Sequence, residues 1–465
     1  MMILGDTIAA VSTPRGKGGV ALLRISGPDA IGVAERVFVP KNGRPLSAAP
    51  SRSAVYGSIL SVEADGTAVE LDDGLATVFR SPASFTGEDT VEIACHGGIL
   101  LTEAVLTSIL ASGARGAEAG EFTRRAFVNG KIGLSSAEAL GNLLEAQTRE
   151  QMTLAHTGMS GKVEERCREI YEHLRHALAS IYVRIDYPDE DLADMGREEI
   201  DAVLSAAIAD LEALADSYRT GHAVQEGIAT VICGKPNVGK SSLYNRILGR
   251  DAAIVTDIKG TTRDVLHDTA SLGKITLRLC DTAGLRETED TVERIGIERT
   301  QQAMREAELI LAVFDVSRAP DAEDRALIEG LRQLPDAAVI AVLNKADVGE
   351  SFAELYRAEL ANTVTLSAKE GSGFEELVRM AEALLISGEL DLKKDAILTN
   401  ARQSGAALAA LDSLRRAKKA VGDGLPQDLC CTDIEEAMES ISQLDGRSIS
   451  EDIVGEIFSH FCVGK

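Results

Sequence analysis

The sequence predicts a multidomain protein that combines an α+β N-terminal domain, an all-α helical domain, and an α/β P-loop domain inserted into the helical one. Three observations predict this architecture: short strands with glycine-rich turns in the first 120 residues, helical periodicity in two later segments, and a phosphate-loop motif between those segments. A length of 465 residues with 45% hydrophobic content allows about two to four domains. We expect the boundaries to separate residues 1–120, 121–222, 223–388 and 389–465.

The first segment alternates short apolar stretches with turns. Strands are predicted at residues 7–12, 19–25, 75–79 and 90–94. Helices are predicted at residues 29–37 and 101–112. Glycine-rich turns lie at residues 15–19, 85–88 and 96–98. Turn chemistry explains such turns in most proteins, so the pattern leaves a structural and a functional interpretation open.

The second and fourth segments have helical patterns. Before the P-loop domain, apolar residues fall on one helix face at Leu204, Ile208, Leu211 and Leu214. After it, a helix is expected to open at Asn400 and to continue through Leu408, Leu411 and Leu414. Because helices flank the P-loop domain on both sides, we predict that it is inserted into one helical domain.

Two charged runs lie in these helical segments. Residues 186–191 are acidic and could be a metal-binding cluster, although a solvated interhelical turn is the commoner structure. Residues 415–419 are the most basic run and could contact RNA, although a solvated helix face is the commoner structure for such a run.

The phosphate-loop motif occupies residues 234–241 and matches G-x-x-x-x-G-K-[ST] between an apolar stretch and a helical one. Its glycines let backbone N–H groups surround a phosphate, and the helix N-terminus adds a favourable dipole. We expect Lys240 to contact the outer phosphates and Ser241 to offer its hydroxyl to Mg²⁺.

Three further signatures follow in the order that a GTPase requires. Asp281, at the end of an apolar strand, can hold the water shell of the metal. Asp347 can accept the N1–H and 2-amino donors that guanine has and adenine lacks, so GTP is preferred over ATP. Residues 367–369 are expected to close over the base.

Between these motifs, residues 256–264 form a polar loop in which Thr262 is expected to complete the Mg²⁺ shell. Leu285 stands where Ras-like GTPases have the glutamine that orients the attacking water, so another group must do this. The residues expected to contact GTP are Asn237, Val238, Gly239, Lys240, Ser241, Ser242, Thr256, Thr261, Thr262, Asp281, Thr282, Ala283, Gly284, Asn344, Lys345, Asp347, Ser367, Ala368 and Lys369.

Composition limits the remaining functions. A formal charge of −25 argues against a broad electrostatic grip on nucleic acid, because Lys and Arg supply most of that affinity. Seven cysteines without paired metal spacing indicate reduced thiols. With no signal-peptide pattern and no apolar run of about 18 residues, we expect a soluble cytoplasmic protein.

Several short motifs are similar to those of a known family. They lie at residues 6–8, 18–20, 24–27, 85–89, 120–123, 260–264 and 461–465. Over essentially its full length the chain resembles the MnmE (TrmE) family of tRNA modification GTPases. The family's tail usually reads Cys-Ile-Gly-Lys, and Val463 departs from it by one methylene.

The resemblance implies a homodimer built through N-terminal domains that look like tetrahydrofolate-binding folds. It also implies an FAD-dependent, MnmG-like partner in a heterotetramer or larger assembly, with tRNA contacted mainly through that partner. The pair would add a carboxymethylaminomethyl or aminomethyl group to C5 of the wobble uridine, with 5-formyl- or methylene-tetrahydrofolate as the one-carbon source.

The resemblance also assigns residues. The implied folate contacts are Arg24, Glu92, Lys131 and Lys465. The implied K⁺ site consists of Asn237, Thr256, Ile258 and Thr261. Glu293 is implied to orient the attacking water and Cys462 to act as a nucleophile. Simpler interpretations remain for three of these: an outward strand charge for Glu92, a helix N-terminal acid for Glu293, and a structural tail for Cys462.

A regulatory GTPase switch in ribosome assembly is the alternative function. A basic RNA-binding domain after the GTPase domain would favour it. The folate-domain motifs and the Cys-x-Gly-Lys tail favour tRNA modification instead.

Overall fold

The computed structural model describes residues 5–62, 67–187, 195–250, 268–280, 302–335, 337–388, 390–426 and 428–464. The described residues fall into two compact units. One lies within Met1–Glu138 and Gly446–Lys465, and the second lies within Ala139–Asp445.

The first unit is built on a seven-stranded sheet with the order β3-β4-β5-β6-β2-β1-β7. Its strands are β1 (Ile8–Val11), β2 (Val20–Ser26), β3 (Phe38–Pro40), β4 (Ser53–Val62), β5 (Ala68–Phe79), β6 (Thr90–His96) and β7 (Arg115–Gly116). Neighbouring strands are antiparallel, except that β1 and β7 are parallel. The four predicted strands are confirmed as β1, β2, β5 and β6.

Helices cover this sheet and continue the chain: α1 (Ala30–Val37), α2 (Ile99–Ala111), α3 (Glu121–Val128) and α4 (Leu134–Glu145). The apolar faces of α1 and α2 pack on the sheet through residues such as Val33, Val105 and Ile109. The C-terminal helix Glu451–Ser459 packs in the same unit, where Phe458 and Val454 contact Leu134. The end of the chain therefore belongs to the core of the N-terminal unit.

The second unit contains a helical bundle and a P-loop sheet. Its helices are α5 (Arg149–Gly158), α6 (Lys162–Asp186), α7 (Arg197–Gln225), α8 (Lys240–Arg250), α9 (Ala322–Arg332), α10 (Ala353–Arg357), α11 (Phe374–Leu385), α12 (Ala401–Gly422) and α13 (Asp428–Asp445). One apolar core combines α6 and α7 with α12 and α13. The predicted insertion is confirmed, because helices from both sides of the P-loop domain share this core.

The helix α12 begins at the predicted residue, but the face that it buries differs from the predicted one. Asn400 caps it by accepting a hydrogen bond from the Gln403 N–H at 2.9 Å. Leu408 is 55% exposed, whereas Leu411 and Leu414 are buried. The assumption of three-residue steps was wrong for Leu408, because the buried stripe at 3.6 residues per turn passes through Ala407 instead.

The P-loop sheet has six strands in the order β13-β12-β11-β8-β10-β9. They are β8 (Ile228–Cys233), β9 (Asp268–Leu272), β10 (Ile275–Leu279), β11 (Leu309–Asp315), β12 (Ala338–Asn344) and β13 (Thr363–Thr365). All pairs are parallel except β9 with β10. Apolar side chains cover both faces, as expected for a parallel sheet.

The carboxyl ends of the parallel strands set the position of the site. The phosphate loop follows β8, Asn344 ends β12, and Ser367 follows β13 by two residues. Because these ends meet at one edge of the sheet, side chains distant in sequence converge there.

Two further findings concern the described residues as a whole. None of their helices combines the length and the apolar character that crossing a membrane requires. The seven cysteines are free thiols, with Cys233 buried in β8 and Cys462 exposed. The acidic run at residues 186–191 lies mostly outside the described residues.

Candidate GTP site and a second site in the N-terminal unit

The phosphate loop is held in a backbone conformation that needs glycine at two points. Gly234 has a φ of +141°, and a Cβ there would lie 2.4 Å from the Val313 carbonyl oxygen. Gly239 has a φ of +104°, and its Cβ would lie 2.1 Å from the Asn344 Nδ2. The loop therefore sits directly against β11 and the end of β12.

Lys240 is the cation inside this loop. Its ammonium donates to the carbonyl oxygens of Gly234 at 2.8 Å and Lys235 at 2.7 Å. Burial lowers the pKa of Lys240. Among the described residues no carboxylate pairs with it, so its charge is available to a phosphate group.

The first turn of α8 offers hydroxyl groups next to Lys240. Ser241 and Ser242 lie there, and both are exposed. A hydroxyl oxygen suits Mg²⁺, which prefers oxygen ligands and keeps several waters. The residues present therefore fit a Mg–nucleotide, and Ser241 would provide the protein's ligand from this turn.

Asn344 connects the phosphate side of the site to the base side. Its Nδ2 donates to the Val238 carbonyl at 2.8 Å, and its Oδ1 accepts the Ala368 N–H at 2.9 Å. Asn344 is only 3% exposed. One buried amide thus fixes the spacing between the two loops, a role that the sequence motif alone does not reveal.

Asp347 lies exposed at the base side. Its Oδ1 accepts a hydrogen bond from the Ser367 hydroxyl at 2.7 Å. This bond orients the carboxylate while its second oxygen makes no hydrogen bond within the described residues. Such a group can accept the paired N–H donors of guanine.

Two residues that sequence reasoning missed support the base side. Arg246 donates to the carbonyls of Ala368 and Lys369, both at 2.7 Å. Asp315 accepts from the Lys345 ammonium at 2.7 Å. The pKa of Asp315 is lowered: burial acts to raise it, and the hydrogen bond from Lys345 and those from Ser317 outweigh that effect. Asp315 ends a fully apolar strand, which is a signal that could have found it.

Part of the predicted site lies outside the described residues. These positions are Thr256, Ile258, Thr261, Thr262, Asp281, Thr282, Ala283, Gly284, Glu293 and Lys465.

A second group of predicted residues meets in the N-terminal unit. Arg24 and Glu92 are directly opposite each other on β2 and β6, and the Arg24 Nε donates to the Glu92 Oε1 at 2.9 Å. The guanidinium carbon lies 5.6 Å from the ring centroids of both Phe85 and Phe122. A partly exposed ion pair between two aromatic rings results.

The tail lies near the start of the same sheet. The Gly120 N–H donates to the Cys462 carbonyl at 3.4 Å, and the Ser12 hydroxyl donates to the Gly464 carbonyl at 3.1 Å. Ser12 follows β1, whose residue Ala10 is opposite Arg24. Lys131 instead donates its ammonium to the Pro82 carbonyl at 2.9 Å.

The two arginines of the basic run at residues 415–419 form ion pairs with neighbouring acids. Arg416 pairs with Asp412, Asp433 and Glu436, and Arg415 pairs with Glu212. This pairing favours the solvated helix face over an RNA contact.

Two family models together match most of the chain. The family model described as GTP-binding protein TrmE N-terminus matches residues 7–131, and the one described as MnmE helical domain matches residues 134–462. Among solved structures, Aquifex aeolicus Era bound to GDP and AlF4⁻ covers 40% of this chain and 65% of its own, with 27% identity and a TM-score of 0.27. Because this TM-score is low, the family assignment rests on the sequence relatives.

Three curated relatives carry the description tRNA modification GTPase MnmE. The protein of Carboxydothermus hydrogenoformans is 41% identical over 467 residues, covering 100% of both chains. That of Symbiobacterium thermophilum is 42% identical over 464 residues, covering 99% of both. That of Bacillus subtilis is 38% identical over 471 residues, covering 99% of this chain and 100% of its own. The chain therefore belongs to the MnmE family of tRNA modification GTPases, and it is a GTP-hydrolysing enzyme.

Proposed function

We propose that this GTPase modifies C5 of the wobble uridine in tRNA with a carboxymethylaminomethyl or aminomethyl group, using a folate one-carbon unit. The observation that carries the proposal is the Arg24–Glu92 pair between two aromatic rings in the N-terminal unit. A GTPase that acts only as a binding switch has no need of this second polar site.

The chemistry of that pair fits a reduced folate. A carboxylate such as Glu92 matches the adjacent N–H and amino donors of a pterin, and a flat ring can stack on an aromatic side chain. Arg24 and Lys131 suit the carboxylates of the glutamate tail, and Lys465 would join them. When bound, 5-formyl- or methylene-tetrahydrofolate would supply the one-carbon unit.

The proposed partners are a second copy of this chain and an FAD-dependent, MnmG-like protein in a heterotetramer or larger assembly. The charge of −25 and the paired arginines of the basic run support contact with tRNA mainly through that partner. Dimerisation is proposed to run through the N-terminal domains.

We expect GTP turnover to be at least about tenfold faster in K⁺ than in Na⁺ at equal ionic strength. An arginine finger raises the rate of hydrolysis ~10³–10⁵-fold by neutralising negative charge on the transferring phosphate. A bound K⁺ would neutralise part of the same charge. Asn237, exposed in the loop with a φ of +62°, would provide one oxygen ligand. The remaining proposed ligands are Thr256, Ile258 and Thr261, and Glu293 would orient the water.

The measurement compares turnover in KCl, RbCl, NaCl and CsCl for the wild type, Asn237→Ala and Glu293→Ala. Asn237→Ala should lose the preference for K⁺, and Glu293→Ala should lose turnover in every salt. Equal wild-type rates in Na⁺ and K⁺ would exclude the cation site.

The proposed function predicts that Cys462→Ser abolishes tRNA modification but leaves GTP turnover unchanged. Cys462 is exposed at the tail of the N-terminal unit, away in sequence from every nucleotide motif. Mass spectrometry of tRNA nucleosides from a deletion strain carrying the variant measures the first effect. Ser459→Ala, at another exposed position near the tail, is the matched control. Normal modified-nucleoside levels with Cys462→Ser would remove its chemical role.

A further inference from the structure

The first half of the phosphate loop is tied to a neighbouring acidic turn. The ammonium of Lys235 lies 2.5 Å from the Asp321 Oδ2 and 2.7 Å from the Asp324 Oδ2. The Lys235 side chain is 20% exposed, and that of Asp324 is 2% exposed. The contact with Asp324 is therefore a largely buried ion pair and differs from the exposed pairs elsewhere on the surface.

The acidic turn is itself fixed. Asp324 also accepts the Asp321 N–H at 3.1 Å and the Tyr356 hydroxyl at 3.2 Å. Asp321 caps α9 by accepting two backbone N–H groups. Tyr356 is 1% exposed and lies 5.0 Å from the ring of Phe314 in β11. The anchor for Lys235 thus rests on the central sheet.

Lys235 is also connected to the phosphate-binding lysine through its own backbone. Its carbonyl accepts the Lys240 ammonium at 2.7 Å. At the far end of the loop, Asn344 holds the Val238 carbonyl at 2.8 Å. The loop is therefore fixed at two points by two different elements, and only the second belongs to the guanine-binding motif.

We propose that Lys235 is a positioning residue, whose ion pair with Asp321 and Asp324 holds the loop in the conformation that binds the phosphates of GDP and GTP. The side chain acts through the backbone of the loop. If the loop adopts the phosphate-binding conformation in only a fraction of the molecules, the apparent affinity for the nucleotide is reduced by that fraction. The same loss applies to the ground state and the transition state, so KM rises while kcat is unchanged.

Lys235→Met should weaken GDP binding about tenfold, the value for a loop that is competent in about a tenth of the molecules. Lys235→Arg, which keeps the charge and the donors, should stay within about threefold of the wild type. The readouts on the full chain are the dissociation constant of a fluorescent GDP analogue and the KM and kcat of GTP hydrolysis.

The double variant Lys235→Met/Asp324→Asn distinguishes a positioning role for Lys235 from a merely structural or electrostatic one. Its net charge equals that of the wild type, and it leaves no unpaired charge at position 324. A structural or electrostatic role predicts that GDP affinity returns to the wild-type value in this variant. A positioning role predicts that affinity stays about tenfold weak, because the anchor is still missing.

Thermal unfolding of each variant reports whether stability changes alongside affinity. Arg332→Met is the matched control, since it removes exposed ion pairs from the far end of α9. Unchanged GDP affinity in Lys235→Met, restored affinity in the double variant, or a fall in kcat with constant KM would each overturn the proposal.

Discussion

Replacing Arg125 with methionine should destabilise the N-terminal unit by about 3–5 kcal/mol, the loss expected when one partner of a buried ion network is removed. Arg125 has no exposed surface. Its guanidinium contacts Asp6 at 2.6 Å, Glu121 at 3.0 Å and Glu88 at 3.1 Å. Methionine is also a long, unbranched side chain, so the main effect is the loss of the charge that compensates these three carboxylates.

The network joins separate parts of the unit. Asp6 precedes β1, Glu88 precedes β6, and Glu121 opens α3. Arg115 adds a second cation by contacting Asp6 and Glu121, both at 2.7 Å. Breaking it should therefore loosen β1 and β6 as well as α3.

The same network sets a dependence on pH. The pKa values of Asp6 and Glu121 are lowered: burial acts to raise them, and the hydrogen bonds from Arg115 and Arg125 outweigh that effect. A carboxyl group whose pKa is lower in the folded state stabilises the unit at any pH above its unfolded-state pKa. This contribution is lost as the pH falls through the folded-state pKa. The wild type should therefore lose stability in acid more steeply than Arg125→Met.

Hydrogen exchange of the full chain measures the effect locally, because exchange reports the opening free energy of each segment. Protection should fall in peptides that cover β1, β6 and α3 and stay constant in the helical bundle. The control is Arg36→Met, which removes a half-exposed pair with Asp29 and should cost no more than about 1 kcal/mol. Unchanged protection around β1 in Arg125→Met would contradict the prediction.

The meeting of the nucleotide motifs at one edge of the sheet could be predicted from sequence, because their described residues lie in short motifs at or just after the ends of apolar strands. In a parallel sheet the order of such strands is enough to bring their ends together. The double contact of Asn344 could not be predicted, since it depends on the distance between two loops rather than on either motif. The tether from Lys235 to Asp324 spans 89 residues and has no local pattern.

The contacts in the N-terminal unit were harder to predict from sequence for a related reason. The motifs at residues 85–89 and 120–123 are among those that resemble the MnmE family, and their acids Glu88 and Glu121 bind Arg125. A motif records that a residue is needed but does not say whether it contacts a ligand or the protein. Arg125 and Asp6 are 119 residues apart, so only the three-dimensional structure reveals their pairing.

The packing of the C-terminal helix was not predictable either. Periodicity shows that residues 451–459 have an apolar face, but it does not say which core that face joins. Phe458 and Val454 join the core around Leu134, whereas α13 joins the bundle core. The tail consequently reaches β1, where the Ser12 hydroxyl holds the Gly464 carbonyl.

Asp347→Asn should change the preferred nucleotide from GTP to xanthosine triphosphate. Guanine presents two donors, N1–H and the 2-amino group, which both suit a carboxylate. Xanthine keeps N1–H but has a carbonyl oxygen at C2, which suits one acceptor and one donor on an asparagine amide. Sites built around such hydrogen bonds discriminate by up to ~10⁴–10⁵-fold, so we expect GTP affinity to fall at least about a hundredfold.

Competition between GTP, xanthosine triphosphate and ATP for a fluorescent nucleotide on the full chain measures this change. The asparagine can still accept the bond from Ser367 that orients residue 347, so the loop geometry should persist. Glu354→Gln, at an 82% exposed side chain of the same domain, also removes one negative charge and should leave the preference for GTP intact. If Asp347→Asn binds GTP as the wild type does, another residue reads the base. If it binds neither nucleotide, Asp347 acts through the fold of the loop rather than through guanine.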